Sequence, residues 1–458
     1  MPKAYIIGLG RSGIAAAKLL KQQGWEVLLS DRADNDSLRA QKAKLGNEGI
    51  CVELGSEPPL NESERPDLIA VSPGVPWDVP LLQKAREQGI ETIGELELAW
   101  RYLNDSPWVG ITGTNGKTTT TALASAIFQQ SGLNAPACGN IGFAACELAL
   151  QESSVVSSSY RKTAYDWIIA EISSYQIESS LQLAPKIGIW TTLTADHLSR
   201  HQTLENYANI KSSLLKRCSQ PILNGDDPYL RGLANQWTNA YWTSVKGKTA
   251  LLGDRDHGIY LEDNWVVAFG ELILPINLFK MVGVHNQQNL LLAIGAARLA
   301  GIDKQSITEA IATFNGVPHR LERIGTLDGI DWINDSKATN YDAAVVGLGA
   351  VEGPVILIAG GQPKTGDAKP WIDSIKKQAA SVLLIGEAAP KFAEQLQTAG
   401  YPSWEIVEKM ENAVERSLEL AKQRQARVVL LSPACASFDQ YPSFEHRGDH
   451  FRSLFQLL

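Results

Sequence analysis

Short apolar runs alternate with amphipathic stretches along this chain, a rhythm that builds parallel sheets covered by helices. Ala4 to Gly8 is followed by a helical pattern to Gln23, then by the runs Glu26 to Ser30 and Leu68 to Ser72. A second set begins at Trp108-Val109-Gly110-Ile111-Thr112, passes a Gly/Thr loop into the helical pattern Thr119 to Gln130, and continues with strands over Trp167 to Ala170 and Lys186 to Thr192. A third follows the helical stretch Ser306 to Phe314 and the Gly316-Val317-Pro318 break, with apolar runs Val355 to Ala359, Val382 to Ile385 and Val428 to Leu431. The spacing predicts an α/β fold of three tandem domains, residues 1–104, 105–315 and 316–458. The first and last read as Rossmann-like, and the middle one, where Thr112-Gly113-Thr114-Asn115-Gly116-Lys117-Thr118 links a strand to a helix, as a P-loop-type ATPase domain. Length agrees, because 458 residues suit two to four domains of roughly 100–200 residues each. The low-complexity stretch Glu152 to Ser159 is expected to be a mobile surface loop.

Gly8-Leu9-Gly10-Arg11-Ser12-Gly13 is a GxGxxG directly after the first strand, where missing side chains let a diphosphate approach backbone N–H groups at a helix N-terminus. Asp31 ends the second strand, the usual place for a carboxylate that binds ribose hydroxyls. Taken alone, this motif fits an NAD-dependent dehydrogenase better than a tight structural turn. A second phosphate loop changes the balance. Thr112-Gly113-Thr114-Asn115-Gly116-Lys117-Thr118 lies between a strand and a helix. It departs from GxxxxGK(S/T), since Ile111 stands where the first glycine belongs, yet the mechanics survive. Small residues free amides for phosphate oxygens, Lys117 reaches the β/γ-phosphates, and the Thr118 hydroxyl suits Mg²⁺. Glu171 ends one later strand and Asp196-His197 follows another, so both face the carboxyl edge of the sheet with the loop. Each alone would be an ordinary surface carboxylate or core histidine; beside a phosphate loop they are candidate metal ligands.

Composition removes several classes. A net charge of −8 and a pI near 5.5 argue against nucleic acid or anionic lipid as partners. Cys51, Cys138, Cys146, Cys218 and Cys435 lack CxxC spacing, which disfavours a disulfide framework or a zinc site. No apolar run approaches the roughly 18 residues of a membrane span, and Met1-Pro2-Lys3-Ala4 opens without a leader pattern. A cytoplasmic monomer is the expectation.

The motif at Thr112 to Thr118, Asn140-Ile141-Gly142, Glu171-Ile172-Ser173-Ser174, Asp196-His197, Gly283-Val284-His285-Asn286 and Asp335-Ser336-Lys337-Ala338-Thr339-Asn340 together resemble the Mur ligase family, in the family's order. Ser432-Pro433-Ala434-Cys435-Ala436-Ser437-Phe438-Asp439-Gln440, continuing to Phe444 and Arg447-Gly448, resembles its D-glutamate-adding members. That resemblance implies an ATP-dependent ligase joining D-glutamate to UDP-N-acetylmuramoyl-L-alanine through an acyl phosphate. It implies ATP contacts at Gly113, Thr114, Asn115, Gly116, Lys117, Thr118, Thr119, Asn286, Asn289, Arg320, Asp335 and Lys337. Two Mg²⁺ ions would be held by Thr118 with Glu171 and by His197, with a carbamylated Lys211 close to both. The implied catalytic set is Lys117, Glu171, His197 and Lys211. The uridine nucleotide would meet Gly10, Arg11, Ser12, Asp31, Arg32, Ser72 and Asn140, and D-glutamate would meet Thr339, Lys364, Ser437 and Phe444. Ser199 stands where the family often has an acid. A folylpolyglutamate synthase-like enzyme would share the central motifs without needing the first domain, and a non-catalytic nucleotide switch would need no amino-acid pocket.

Overall fold

The computed structural model describes residues 1–61, 64–156, 164–363 and 366–458. Three sheets organise the described residues. The first holds β1 (Lys3–Ile7), β2 (Glu26–Asp31), β3 (Cys51–Leu54), β4 (Leu68–Val71) and β5 (Glu91–Gly94), all parallel, in the order β3-β2-β1-β4-β5. The second is built on β6 (Trp108–Thr112), β7 (Ala137–Gly139), β8 (Ile168–Glu171), β9 (Ile187–Trp190), β10 (Gln220–Asn224) and β11 (Tyr241–Ser244). It is extended by β12 (Ile259–Glu262), β13 (Trp265–Ala268) and β14 (Glu271–Pro275), giving the order β14-β13-β12-β11-β10-β9-β6-β8-β7. Its strands are parallel except for the hairpin β12-β13-β14. In the third, β15 (Glu322–Leu327), β16 (Ile330–Asn334), β17 (Val355–Gly360), β18 (Ala379–Ile385), β19 (Trp404–Glu408) and β20 (Val428–Leu431) take the order β15-β16-β20-β17-β18-β19. Here β15 alone is antiparallel to its neighbour among the described residues.

Two compact units emerge from these three sheets: residues 1–278 with 288–313, and residues 279–287 with 314–458. In the first unit one apolar core runs from Ala4, Ile6 and Leu29 through Leu96 and Ala99 to Trp108, Ile168 and Trp242. The helix Glu95–Leu103 and the helix Ala145–Val156 pack together at this junction. Glu97 is buried and accepts backbone N–H bonds from Gln182 at 3.0 Å and Leu183 at 3.0 Å, and Arg217 donates to the carbonyls of Leu183 and Ser180. The Ser-rich stretch differs from expectation. Glu152 to Val156 continue the helix begun at Ala145, whose Ala145, Cys146, Leu148 and Ala149 are buried in that core, while residues 157–163 lie outside the described ones.

Glu95 starts the junction helix fully buried. Its Oε1 accepts the Cys146 N–H at 2.7 Å, and its Oε2 has no hydrogen-bond partner among the described residues. Burial pushes the carboxyl up from 4.5 to about 7, only partly offset by the Cys146 N–H. The folded state therefore keeps a proton that the unfolded state releases between 4.5 and about 7, and stability falls as pH rises through that window. Glu95→Gln, which cannot ionise, is expected to gain ~3 kcal/mol on the wild type between acidic and mildly alkaline pH. Thermal melts of both proteins across that range check this; a constant difference would place the proton elsewhere.

The second unit packs one core of Leu357, Trp371, Phe392 and Leu430 on one face of its sheet, and another of Trp332, Ile356, Val429 and Phe451 on the other. Arg447, in the helix Phe444–Phe455, is buried beneath the carboxyl ends of the strands. It donates to Ser336 O at 2.8 Å, Ser336 Oγ at 3.0 Å, Cys435 O and Ala436 O at 3.1 Å, and Gly360 O at 3.5 Å. Burial lowers this guanidinium to about 10. It thereby ties together three loops that leave neighbouring strands. No helix among the described residues is long and apolar enough to cross a membrane.

Candidate functional site

The turn between β6 and the helix Lys117–Gln130 requires its glycines. Gly113 has φ +149° and Gly116 φ +86°; a Cβ would come within 1.9 Å of Thr191 Oγ1 at the first and 2.4 Å of Asn289 Oδ1 at the second. Thr191 and Thr192, just past β9, brace the loop: Thr191 Oγ1 donates to Asn115 O at 2.5 Å, and the Asn115 N–H donates to Thr192 Oγ1 at 2.9 Å. Asn289 Oδ1 accepts the Thr120 hydroxyl at 3.3 Å. Lys117 Nζ folds over the turn onto Gly113 O at 2.9 Å and Thr114 O at 2.8 Å. Thr118 and Thr119 are buried in the first helical turn. N–H groups of that first turn have no intrahelical acceptors, the setting in which helices bind phosphate.

Lys211, on the helix Leu204–Arg217, reaches the same turn and is 1% exposed. Its Nζ donates to Gly113 O at 2.9 Å and to Thr112 Oγ1 at 3.4 Å, and lies 4.4 Å from the Tyr207 ring centroid. Two lysine side-chain nitrogens thus converge on one carbonyl. Burial first, and then the charge of Lys117, hold Lys211 well below the ordinary lysine range, against the opposing pull of Asp196 and Glu171.

Glu171 closes β8, paired with β6 on the side opposite β9. Its Oε1 accepts Asn140 Nδ2 at 2.8 Å, while Oε2 is buried with no hydrogen-bond partner among the described residues. A buried carboxylate oxygen left over in this way calls for a positive group, and with the Thr118 hydroxyl it offers the hard oxygen donors that Mg²⁺ takes. Among the described residues no three His, Cys, Asp or Glu side chains cluster as a metal site, so any ion here would draw on mixed donors and substrate oxygens.

His197 takes a left-handed conformation (φ 54°) ahead of the short helix Leu198–His201. Its Nδ1 hydrogen-bonds the Tyr175 hydroxyl at 3.2 Å, and its Nε2 lies 3.4 Å from Asp196 Oδ2. Behind it, buried His201 is lowered to about 4 by desolvation and by neighbouring cations, which keeps it neutral. Sequence reading passed over His201, Tyr175 and Tyr207. The signal available was a second histidine one helical turn after His197.

In the first sheet, Gly8 has φ +101°, and a Cβ on Gly13 would lie 1.9 Å from Gly8 O, so the turn can close only on glycine. Asp31 accepts N–H bonds from Leu9 at 2.8 Å and Ala33 at 2.9 Å, and Ser72 Oγ donates to Gly8 O at 3.3 Å. Gly10 precedes the helix Arg11–Gln22 and Ser12 lies half-buried within it. Arg11 turns to the second sheet, with Nε and Nη2 on the Glu147 carboxylate at 2.9 and 2.7 Å and Nη1 on Gly142 O at 2.8 Å. Arg32 pairs with Glu57, and Asn140 is exposed apart from its bond to Glu171.

The second unit carries the remaining positions. Asn286 is buried and donates to Val282 O at 2.7 Å. His319 and Leu321, on either side of Arg320, both have positive φ. Asp335 accepts the Leu321 N–H at 3.3 Å and the Ser432 hydroxyl at 2.8 Å; burial lifts its carboxyl to about 7, with Ser432 and Arg320 pulling the other way. Lys337 Nζ sits 3.9 Å from the Phe444 ring centroid. The Thr339 N–H bonds Lys337 O, Ser437 is buried, and Phe444 accepts the Ser336 hydroxyl at the start of its helix. Asp335, Lys337, Thr339, Ser437 and Phe444 are thus gathered by the Arg447-tied loops; Lys364 lies outside the described residues.

Family models match three stretches: a Mur ligase MurD-like N-terminal domain over residues 2–94, a Mur ligase middle domain over 111–297, and a Mur ligase glutamate ligase domain over 319–435. The UDP-N-acetylmuramoylalanine--D-glutamate ligase of Rippkaea orientalis (strain PCC 8801 / RF-1) is 69% identical over 459 residues, covering 100% of both chains. That of Synechocystis sp. (strain ATCC 27184 / PCC 6803 / Kazusa) is 62% identical over 456 residues, 99% of each chain. Among solved structures, UDP-N-acetylmuramate-alanine ligase MurC from Thermotoga maritima superposes with a TM-score of 0.60 at 19% identity, and a pseudomurein peptide ligase type C from Methanothermus fervidus with 0.58 at 21%, both over 100% of each chain. At those identities the structural likeness is one of fold.

Proposed function

The chain belongs to the Mur ligase family, and from that premise we propose that it joins D-glutamate to UDP-N-acetylmuramoyl-L-alanine at the expense of ATP. The structural observation that carries the reading is the convergence of Lys117 and Lys211 on Gly113 O beside a buried, half-satisfied Glu171. Such a charge arrangement suits a polyphosphate and its cation. The MurD-like match over residues 2–94 favours this reading over a folylpolyglutamate-type enzyme.

The precursor carboxylate attacks the γ-phosphorus of ATP, giving an acyl phosphate and ADP. The neutral amine of D-glutamate then attacks the acyl carbon, and phosphate leaves from the tetrahedral intermediate. Lys117 and the amides of its loop hold the phosphates and offset charge on the transferring group. Thr118 with Glu171 would hold one Mg²⁺ and His197 a second, with a carbamylated Lys211 close to both. Bound there, Mg²⁺ supplies electrostatic stabilisation to the phosphoryl oxygens. Lys211 meets the condition for carbamylation, since a depressed ammonium leaves more free amine to add CO₂ with loss of a proton. The loop around Asp31 and Ser72 takes the uridine nucleotide, while Arg320, Asp335, Lys337, Asn286 and Asn289 serve ATP.

Release of ADP and phosphate should depend on both D-glutamate and the muramoyl-alanine nucleotide; release without either one would remove the assignment. The amino-acid pocket is assigned to Thr339, Lys364, Ser437 and the Phe444 N–H, donors that bind two carboxylates and leave the amine free. Lys364→Ala is expected to cost roughly 2–5 kcal/mol of D-glutamate binding, the range for truncating one partner of a charge pair. Ser437→Ala should cost about 0.5–1.5 kcal/mol, as expected for a neutral hydrogen bond. Initial rates against D-glutamate, with ATP and the nucleotide saturating, decide: unchanged curves for both variants would empty the pocket of these residues.

A further inference from the structure

We propose that His201 is a positioning residue that sets the placement of His197 and Lys211 for metal binding. This rests on the ligase reading, in which His197 serves the second Mg²⁺ and Lys211 lies close to both ions. His201 is 1% exposed, and its ring lies between two tyrosines. It stacks on Tyr207 with centroids 5.2 Å apart and planes at 24°, and faces Tyr175 at 5.4 Å and 31°. Its Nε2 hydrogen-bonds Ser174 Oγ at 2.9 Å, in the segment that follows Glu171.

Each tyrosine reaches a different part of the site. Tyr175 meets the His197 ring edge-on at 5.2 Å and hydrogen-bonds its Nδ1 at 3.2 Å. Tyr207 places its ring 4.4 Å from Lys211 Nζ and accepts the Thr114 hydroxyl at 3.4 Å, in the phosphate loop. The His201 N–H also donates to His197 O at 2.9 Å, closing the turn that presents His197. A single imidazole therefore spaces the ring that orients His197 from the ring that covers Lys211. Interiors are close-packed, so removing that spacer lets both tyrosines shift. Outer partners of metal-binding side chains commonly govern metal affinity by about 10–100-fold.

A buried histidine that merely fills space would affect stability and nothing else, so the test uses a readout that filling does not move. Mn²⁺ is titrated into the full chain with a non-hydrolysable ATP analogue and followed by electron paramagnetic resonance, alongside thermal melts and uridine-nucleotide binding. His201→Ala is expected to weaken Mn²⁺ about 10–100-fold, with uridine-nucleotide affinity unchanged. His201→Phe, which keeps the stack and loses the Ser174 bond, should fold and show a smaller shift. Ser174→Ala should reproduce the His201→Phe shift and add nothing to it in the double variant. If His201→Ala does not fold, the His201→Phe and Ser174→Ala titrations carry the decision. Folded variants that bind Mn²⁺ like the wild type would overturn the proposal while leaving the ligase reading intact. Wild-type protein that binds no Mn²⁺ would overturn both.

Discussion

Lys117→Ala is expected to lower the ligation rate roughly 10²-fold or more, several kcal/mol of barrier. Lys117 Nζ is held over the phosphate turn by the Gly113 and Thr114 carbonyls, and these bonds pre-place its charge before any phosphate arrives. Nothing need reorganise when negative charge spreads over the transferring phosphoryl oxygens, which is why such a group contributes more in the transition state than in the ground state. Alanine leaves the backbone of the turn intact, because its shape is set by Gly113, Gly116 and the threonines after β9. Uridine-nucleotide binding, assigned to the glycine turn of the first sheet, should persist. Phosphate release under saturating substrates, together with calorimetric titration of the uridine nucleotide, separates the two. Near-normal turnover in the variant would remove Lys117 from the chemistry.

Lys211→Ala should be comparably damaging, again roughly 10²-fold or more, yet partly reversible by an added short carboxylate. A buried lysine so close to Lys117 is poorly served as an ammonium, and a carbamate would reverse the sign of its charge. Alanine opens a space lined by Thr112, Gly113 and Tyr207, into which acetate or propionate can bring the missing oxygens. Wild-type protein exchanged into ¹³C-bicarbonate should show a carbamate carbon resonance that disappears in the variant. No rescue and no such resonance would mean that Lys211 acts as an amine.

The α/β architecture was legible because its signals are local. Gly8, Gly10 and Gly13 mark a turn that admits no Cβ, and the apolar runs at Trp108, Val355 and Val428 coincide with strands. What escaped depends on distant partners. The hairpin β12-β13-β14 is built from strands only four or five residues long, too short for a clear alternation, and its pairing to β11 is written in neither segment alone. The merging of the first two sheets into one unit turns on Glu97 meeting residues 182 and 183 and on Arg11 meeting Glu147. At the candidate site, Lys117 and Glu171 stand in local motifs and Lys211 follows from the family resemblance alone, whereas His201 and Arg447 act through contacts with residues distant in sequence, Ser174 and Ser336.

The shared core of the first two sheets also bears on how this protein is made. As the chain leaves the ribosome, the helix Glu95–Leu103 emerges well before the helix Ala145–Val156 that covers it and before the Gln182 and Leu183 amides that satisfy Glu97. At about 5–20 residues per second, that interval lasts several seconds. During it the nascent chain shows an apolar flank and an unpaired carboxylate to the surrounding solution. Residues 1–104 released as a separate fragment would keep that flank bare, so a chaperone-binding segment during synthesis and an aggregating fragment in isolation are two faces of one interface.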